Sequence, residues 1–151
     1  MSNLPLIPFS ATIHVRDRCL CLHAQRAART LARRFDRVLK PFSLTNGQFS
    51  LMMSLNRPKP ASLGSVATLL GMDRTTLTAA LKVLERKGWI TIAKGAEDRR
   101  EKFLVLTAEG EGRLAAALPI WRATHEAIEG EMPQGEADRL RHGLNALGAL
   151  D

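Results

Sequence analysis

Residues 62–107 read SLGSVATLLGMDRTTLTAALKVLERKGWITIAKGAEDRREKFLVLT, and this stretch decides the fold. It predicts a short helix after Ser62, a second helix after Asp73, and a β-hairpin with a charged tip. Ser and Asp are favoured N-caps, because their side-chain oxygens accept from the unpaired amides of a helix start. Gly71 and Gly88 follow the two helical runs, where a left-handed residue ends a helix. A helix-turn-helix followed by a wing fits a DNA groove and touches the flanking backbone.

The second helix of this stretch has one apolar and one polar face. Leu77, Leu81 and Leu84 recur at helical spacing and predict a buried stripe. Short hydroxyls and cations fill the outer face, where Thr groups meet base edges and Arg or Lys reaches guanine or phosphate. The alternative is that this outer face is simply solvated and binds nothing. The short helix directly before it favours the DNA-binding interpretation. The predicted DNA-facing residues here are Arg74, Thr75, Thr76, Thr78 and Lys82.

The hairpin predicts a two-stranded β wing. Residues 89–92 and 102–106 are β-branched or aromatic runs, and a polar tip lies between them. Arg99 and Arg100 are predicted to enter a minor groove, whose narrow form attracts guanidinium groups. Asp98 is predicted to hold the tip in shape by an ion pair with Arg100.

Helices are predicted on both sides of this unit. The first runs from about Thr12 to Lys40, and a capping box at Thr45 and Gln48 begins another. Beyond the wing, Thr107 is predicted to cap a long helix, and a last helix follows Pro133. The buried stripe predicted for the first helix comprises Leu20, Ala24, Ala27, Leu31, Phe35 and Val38, and its other faces carry Arg26, Arg29, Arg33, Arg34 and Arg37. The stripe of the last helix comprises Ala137, Leu140, Leu144, Leu147 and Leu150. Apolar stripes at both ends exceed what one small core needs and favour a second copy related by two-fold symmetry.

The chain resembles the MarR family of winged-helix transcriptional regulators. The resemblance rests on the capping-box segment 44–49, the helix pair, the segment 84–89, the tip 98–100 and the segment 106–110, which reads LTAEG. It implies a mainly α fold with three regions: residues 1–40 as an N-terminal arm and first dimer helix, 41–107 as the DNA-binding region, and 108–151 as C-terminal dimerisation helices. It also implies a homodimer on a palindromic operator, most often a repressor, released by a small molecule or by oxidation.

The family places its effector pocket between the DNA-binding region and the dimer helices. By position, the resemblance makes Cys21, Met52, Met53 and Trp121 candidates for that pocket. Basic residues such as Arg16 and Arg26 near that region favour an apolar, aromatic-sized effector with an anionic group. No other cofactor is expected.

Charge is distributed unevenly along the chain. The formal net charge is +7; residues 1–106 carry 18 basic and 7 acidic side chains, and residues 107–151 carry 4 basic and 8 acidic ones. This concentration of cations indicates a polyanion partner.

No apolar run approaches the ~18 residues of a membrane span, and residues 1–10 lack the layout of a signal peptide. We therefore expect a cytoplasmic protein without a membrane partner.

Cys19, Cys21 and His23 are the residues that suggest other chemistry. On one continuous helix, side chains two positions apart point in nearly opposite directions, so a shared metal ion is not expected. Cys21 aligns with the reactive cysteine of the family's hydroperoxide sensors, and a thiol-based redox regulator is one alternative. The chain has no tyrosine to hold a thiolate, and Gln25 and Phe35 stand at the matching positions.

A second alternative is a basic protein that coats DNA without sequence preference. No motif for catalysis is present, and an enzyme is not expected.

Overall fold

The computed structural model describes residues 6–150, and it is mainly helical with a small antiparallel sheet. This confirms the predicted fold class. The chain divides into two compact units, residues 1–34 and 35–151. In chain order the elements are α1 (Phe9–Arg18), α2 (Leu20–Leu39), a 3-10 turn (Lys40–Phe42), α3 (Asn46–Ser54), β1 (Ala61–Ser62), α4 (Leu63–Leu70), α5 (Arg74–Arg86), β2 (Ile90–Lys94), β3 (Lys102–Leu106), α6 (Ala108–Gly130) and α7 (Glu136–Gly148).

The predicted single helix from Thr12 to Lys40 is wrong, because Cys19 divides it into α1 and α2. Cys19 has φ −70° and ψ 107°, an extended conformation. Its sulfur accepts from the backbone N–H of Leu22 at 3.4 Å, so its side chain caps the start of α2. No residue between 6 and 34 is buried. Leu20 and Leu31, expected in a buried stripe, are 66% and 43% exposed.

The helix pair α4–α5 begins and ends where the caps predict. The Ser62 hydroxyl accepts from the N–H of Ser65 at 3.2 Å, and Gly71 ends α4 with φ +63°. Val66 is fully buried, whereas Leu69 is 63% exposed. The α5 stripe is confirmed, and none of its three leucines exceeds 1% exposure: Leu77, Leu81 and Leu84.

The sheet has three strands where the sequence predicts two. Strand β3 lies between β2 and β1 and pairs antiparallel with both. In the added pairing, Ala61 stands opposite Leu104 and Ser62 opposite Phe103. A strand of two residues cannot show an alternating pattern, so this pairing was not visible in the sequence. Ala61 and Leu104 are at most 1% exposed, and β1 thus fastens the start of α4 to the wing.

The start of α6 is locked against the start of the wing by the LTAEG segment. The Thr107 hydroxyl donates to the carbonyl of Gly88 at 2.7 Å and accepts from the N–H of Gly110 at 3.1 Å. The Thr107 N–H donates to the carbonyl of Trp89 at 3.0 Å. A Cβ on Gly110 would lie only 2.1 Å from that same oxygen, so glycine is required. The predicted Thr107 cap is confirmed, and it also joins α6 to the wing.

Trp89 completes this junction with its ring. Its indole N–H donates to a carboxylate oxygen of Glu109 at 3.3 Å. The Nζ of Lys87 and the Cζ of Arg113 lie 4.5 and 4.4 Å from its ring centroid. The Nη1 of Arg113 also donates to the carbonyl of Phe42 at 3.3 Å. The end of α5 and the start of α6 therefore meet around one buried tryptophan, and Arg113 joins the 3-10 turn to the same junction.

Candidate nucleic-acid interface

The outer face of α5 is open to solvent and carries the side chains that the sequence assigns to DNA reading. Leu77, Leu81 and Leu84 are buried in the core on the opposite face, and their burial determines which side of the helix faces solvent. Four of the five assigned residues are exposed, while Thr78 is half-buried. The exposed ones are Arg74, Thr75, Thr76 and Lys82.

The first turn of α5 is held by Asp73. Its Oδ1 accepts from the N–H of Thr76 at 2.8 Å, and its Oδ2 accepts from the Thr76 hydroxyl at 2.7 Å. These bonds, the backbone one first, hold the pKa of the Asp73 carboxyl below its usual value, because both favour the charged form. The hydroxyl proton of Thr76 is committed to this cap. Thr75 and Thr78 keep hydroxyl groups without that constraint.

One cleft brings the start of α5 and the tip of the wing together. It has a volume of about 260 Å³, and its charged lining residues come from both elements. The guanidinium of Arg74 lies over Gly64, where a Cβ would be 3.1 Å from its Nη2. Arg99 does not line this cleft. The charged lining residues are Arg74, Asp98, Arg100, Glu101 and Lys102.

A second cleft lies between α5 and the sheet and has a volume of about 190 Å³. Thr78 and Lys82 line it from α5, and Lys94 and Lys102 line it from the hairpin. The two hairpin lysines are directly opposite each other across β2 and β3. Like charges in this arrangement destabilise a hairpin, so a bound polyanion would relieve the repulsion. Sequence reasoning missed both lysines, since their partners are known only from the strand register.

The tip of the wing is shaped by backbone hydrogen bonds. Asp98 accepts from the backbone N–H of Arg100 at 2.9 Å, rather than pairing with its guanidinium. The expected ion pair between these residues is therefore wrong, although Asp98 does hold the tip. Gly95 donates to the carbonyl of Glu101 at 2.8 Å, and a Cβ on Gly95 would lie 2.6 Å from the carbonyl of Asp98. Both guanidinium groups of the tip, on Arg99 and Arg100, stay exposed.

Comparison with known proteins agrees with this geometry. The family model described as MarR family matches residues 44–102. The uncharacterized HTH-type transcriptional regulator YwoH of Bacillus subtilis is 34% identical over 95 residues, which cover 63% of this chain and 69% of YwoH. This chain belongs to the MarR family. Its members regulate transcription by binding DNA, and the matched residues run from α3 through the helix-turn-helix to the tip of the wing, ending at the first residue of β3.

Solved structures of MarR regulators extend the similarity over most of the chain. The transcriptional regulator MosR of M. tuberculosis, solved in complex with DNA, is 35% identical with a TM-score of 0.79, covering 87% of this chain and 94% of MosR. The transcriptional repressor CouR of Rhodococcus jostii, bound to a 23-mer DNA duplex, is 26% identical with a TM-score of 0.76, covering 97% of this chain and 99% of CouR.

The effector-pocket candidates are only partly brought together. Met53 and Trp121 line one apolar cleft of about 330 Å³, together with Phe49, Leu69 and Leu70. Trp121 is held there by stacking, with ring centroids 5.8 Å from Phe49, 6.0 Å from Phe35 and 5.0 Å from His125. Met52 is fully buried in the core and does not line the cleft. Cys21 is exposed on α2, in the unit of residues 1–34.

The two cysteines are free thiols on either side of the start of α2. The expectation that Cys19 and Cys21 share one continuous helix is wrong, because Cys19 is the extended residue before α2. The sulfur of Cys21 accepts from the amide of Gln25 at 3.2 Å, and His23 contacts the carbonyl of Cys19 at 2.7 Å. Within residues 6–150, no three His, Cys, Asp or Glu side chains form a group that could hold a metal ion. Over the same range no helix is long and apolar enough to cross a membrane.

Proposed function

We propose that this MarR protein is a homodimeric, sequence-specific repressor that is released from a palindromic operator by a small molecule. The observation that carries the proposal is the open outer face of α5, flanked by two clefts whose lining cations come from both the helix and the wing. An exposed α5 between two basic clefts can enter the major groove of DNA while the cations of the clefts contact the DNA backbone on either side.

Within this interface the residues divide into two roles. Thr75 and Thr78 face the groove with hydroxyl and methyl groups that distinguish bases. Arg74 and Lys82 flank them and reach guanine or phosphate, and Thr76 contributes through the cap on Asp73. Arg99 and Arg100 carry the exposed positive charge of the wing tip to the minor groove. Asp98 keeps the tip folded through the N–H of Arg100.

The homodimer is supported by the apolar face of α7. Leu140, Leu144 and Leu147 are 48%, 47% and 39% exposed, and they repeat at helical spacing. Such a row on a helix loses water when a second copy covers it. Two-fold symmetry would place two α5 helices about 34 Å apart, one turn of DNA. Light scattering on wild type and on the double variant Leu140→Glu/Leu144→Glu tests this. A dimer that becomes a monomer supports the proposal, and a monomeric wild-type protein at micromolar concentration contradicts it.

The effector is proposed to bind the apolar cleft beside Trp121. A volume of about 330 Å³ accommodates an aromatic-sized molecule, and the stacked rings offer it a flat apolar wall. Besides apolar side chains the cleft is lined by Ser50 and Ser54 and by no cation, so the anionic group is an expectation from the sequence alone. Replacing Met53 with Trp fills the cleft from one side, whereas Ser54→Ala barely changes its volume. Release of wild type and Ser54→Ala by an aromatic carboxylate, with Met53→Trp unresponsive, is the expected result. Equal release of all three proteins would place the effector elsewhere.

Release by oxidation at Cys21 is the alternative regulatory mechanism. The Cys21 sulfur is exposed, but its described partner is the neutral amide of Gln25, which stabilises a thiolate less than a cation does. We therefore expect a ligand rather than peroxide to release the operator. The test adds organic hydroperoxide to the operator complexes of wild type and Cys21→Ser. Release of wild type alone at low micromolar peroxide would establish the redox mechanism instead.

The experiment that tests the whole proposal is a footprint on the DNA upstream of the protein's own gene. A homodimeric repressor should protect an inverted repeat with half-sites one helical turn apart. Substituting either half-site should abolish the protection of both. A protein that coats DNA without sequence preference would instead give uniform protection that spreads with concentration.

A further inference from the structure

Three arginines form a basic row on α2, in the unit of residues 1–34 and outside the recognition helix and wing. Arg26, Arg29 and Arg33 follow one another at spacings of three and four, so they lie within about 60° of one another around the helix. All three are exposed. The row extends about 10 Å along the helix axis at 1.5 Å per residue. Arg37 repeats the spacing one turn later.

The charges of this row are not neutralised by the residues around it. Arg29 donates to the amide oxygen of Gln25 at 3.4 Å, and Arg33 donates to the hydroxyl of Thr30 at 3.2 Å. Both acceptors are neutral. Over residues 6–150, no carboxylate forms an ion pair with any of the three guanidinium groups. By contrast Arg139 and Arg141, on α7, are paired with Glu136 and with Glu129 and Asp138. Like charges three and four residues apart also repel one another on a helix, so the row gains stability from an external polyanion.

We infer that the Arg26–Arg29–Arg33 row is a second DNA contact, which binds the phosphate backbone of duplex DNA without reading its sequence. A 10 Å length of duplex carries about six phosphates at one charge per 1.7 Å, enough for each arginine to meet one. Guanidinium groups pair with phosphate oxygens in two-pronged geometry. The inference goes beyond base reading by α5 and rests on DNA binding, the part of the proposed function it shares.

A membrane surface is the less suitable partner for this row. A helix that lies on a membrane inserts its apolar face below the headgroups. The apolar face of α2, opposite the row, is committed to the protein core in its second half, where Phe35 and Leu39 are 6% and 0% exposed. Its first half carries mainly small side chains such as Ala24 and Ala27. The row therefore offers charge alone, which suits a phosphate backbone.

The test measures how the affinity of the full-length protein for a random-sequence 30-bp duplex changes with salt. The variant Arg26→Gln/Arg29→Gln/Arg33→Gln removes the row and keeps residues that favour helix. The control Arg122→Gln removes one positive charge from an exposed position on α6, outside the row, the recognition helix, the wing and α7. Each lost phosphate contact lowers the slope of log K against log salt by about 0.9. The row variant should therefore lose up to about 2.7 in slope for each protomer that contacts the duplex, and the control should keep the wild-type slope.

Two further measurements make the result specific. Lysine at the three row positions should retain most of the slope, because each point charge is kept. The row variant should still prefer the operator to random DNA by the wild-type ratio, since α5 is unchanged. Equal slopes for the row variant and wild type would overturn the inference while leaving operator recognition intact. So would binding of wild type, but not of the row variant, to phosphatidylserine vesicles with no difference on DNA. A wild-type protein that binds no duplex would contradict both the row and the proposed function.

Discussion

Replacing Gly110 with alanine should destabilise the protein strongly, although alanine favours helix. The new Cβ would lie 2.1 Å from the carbonyl oxygen of Trp89, and 2.9 Å from its carbonyl carbon. That oxygen already accepts from the N–H of Thr107 at 3.0 Å, so it cannot retreat without weakening the junction. Backbone shifts forced by extra atoms in a packed site cost about 1–3 kcal/mol or more. Alanine in a helix regains only about 0.5–1 kcal/mol.

We therefore expect Gly110→Ala to lower the free energy of unfolding by roughly 2 kcal/mol or more. Gly112 provides the control, because it lies in the same helix and a Cβ there meets no atom within 4 Å. Gly112→Ala should raise the free energy of unfolding by about 0.5–1 kcal/mol. In a chain of this length each kcal/mol shifts Tm by about 2–4 °C. The two variants should therefore differ by roughly 5–15 °C.

Urea and thermal denaturation followed by circular dichroism measure this difference. Protein concentration must be the same for both variants, because dimerisation makes stability depend on it. Equal stability of Gly110→Ala and Gly112→Ala would show that the LTAEG junction does not hold α6 against the wing as described. A stabilised Gly110→Ala would refute the close approach itself.

Three other predictions concern the interface. Arg100→Ala should weaken binding to all sequences alike and reduce the salt slope by about 0.9 for each bound protomer; unchanged affinity in a salt titration would refute the wing contact. Thr78→Val should instead change operator preference by about 1–3 kcal/mol. Lys102→Gln should stabilise the hairpin by about 0.2–1 kcal/mol, because it removes the repulsion with Lys94, and it should weaken DNA binding. Denaturation measures the change in stability and fluorescence anisotropy the change in DNA affinity. Tighter DNA binding by the variant would contradict the prediction. Hydrogen bonds from Thr76 hold the pKa of Asp73 below its usual value in the folded protein, so the carboxylate's stabilising contribution is present above the unfolded pKa and is lost as pH falls through the lower folded pKa. The difference in urea midpoint between wild type and Asp73→Asn should therefore shrink from pH 6 to pH 3, and a constant difference would count against the cap.

The helix starts were predictable because local chemistry determines them. Ser62, Asp73 and Thr107 each accept from the amide three residues ahead, and Gly71 adopts the left-handed conformation that ends α4. The leucine stripe of α5 was equally predictable, since helical periodicity indicates which face is buried. These features place the assigned residues of α5 on one outer face without any knowledge of long-range contacts.

The features that could not be predicted from the sequence depend on residues distant in the chain, or on side chains with weak preferences for helix starts. The pairing of β1 with β3 joins Ala61 to Leu104, more than forty positions apart. The register that sets Lys94 opposite Lys102 emerges only once the hairpin folds. The break at Cys19 uses a sulfur as a cap, and cysteine is a weak acceptor that does not mark helix starts. The arginine row on α2 was visible, but its lack of ion pairs was not.

The central claim is that the outer face of α5 selects one DNA sequence. The most direct measurement is a competition at about 150 mM salt between an inverted repeat from the gene's own upstream region and a scrambled duplex of equal length and composition. Wild type should prefer the repeat by roughly 10³ or more. Thr78→Val should lose part of that preference while binding the scrambled duplex as wild type does. A wild-type ratio near one, for every repeat in that region, would contradict the claim.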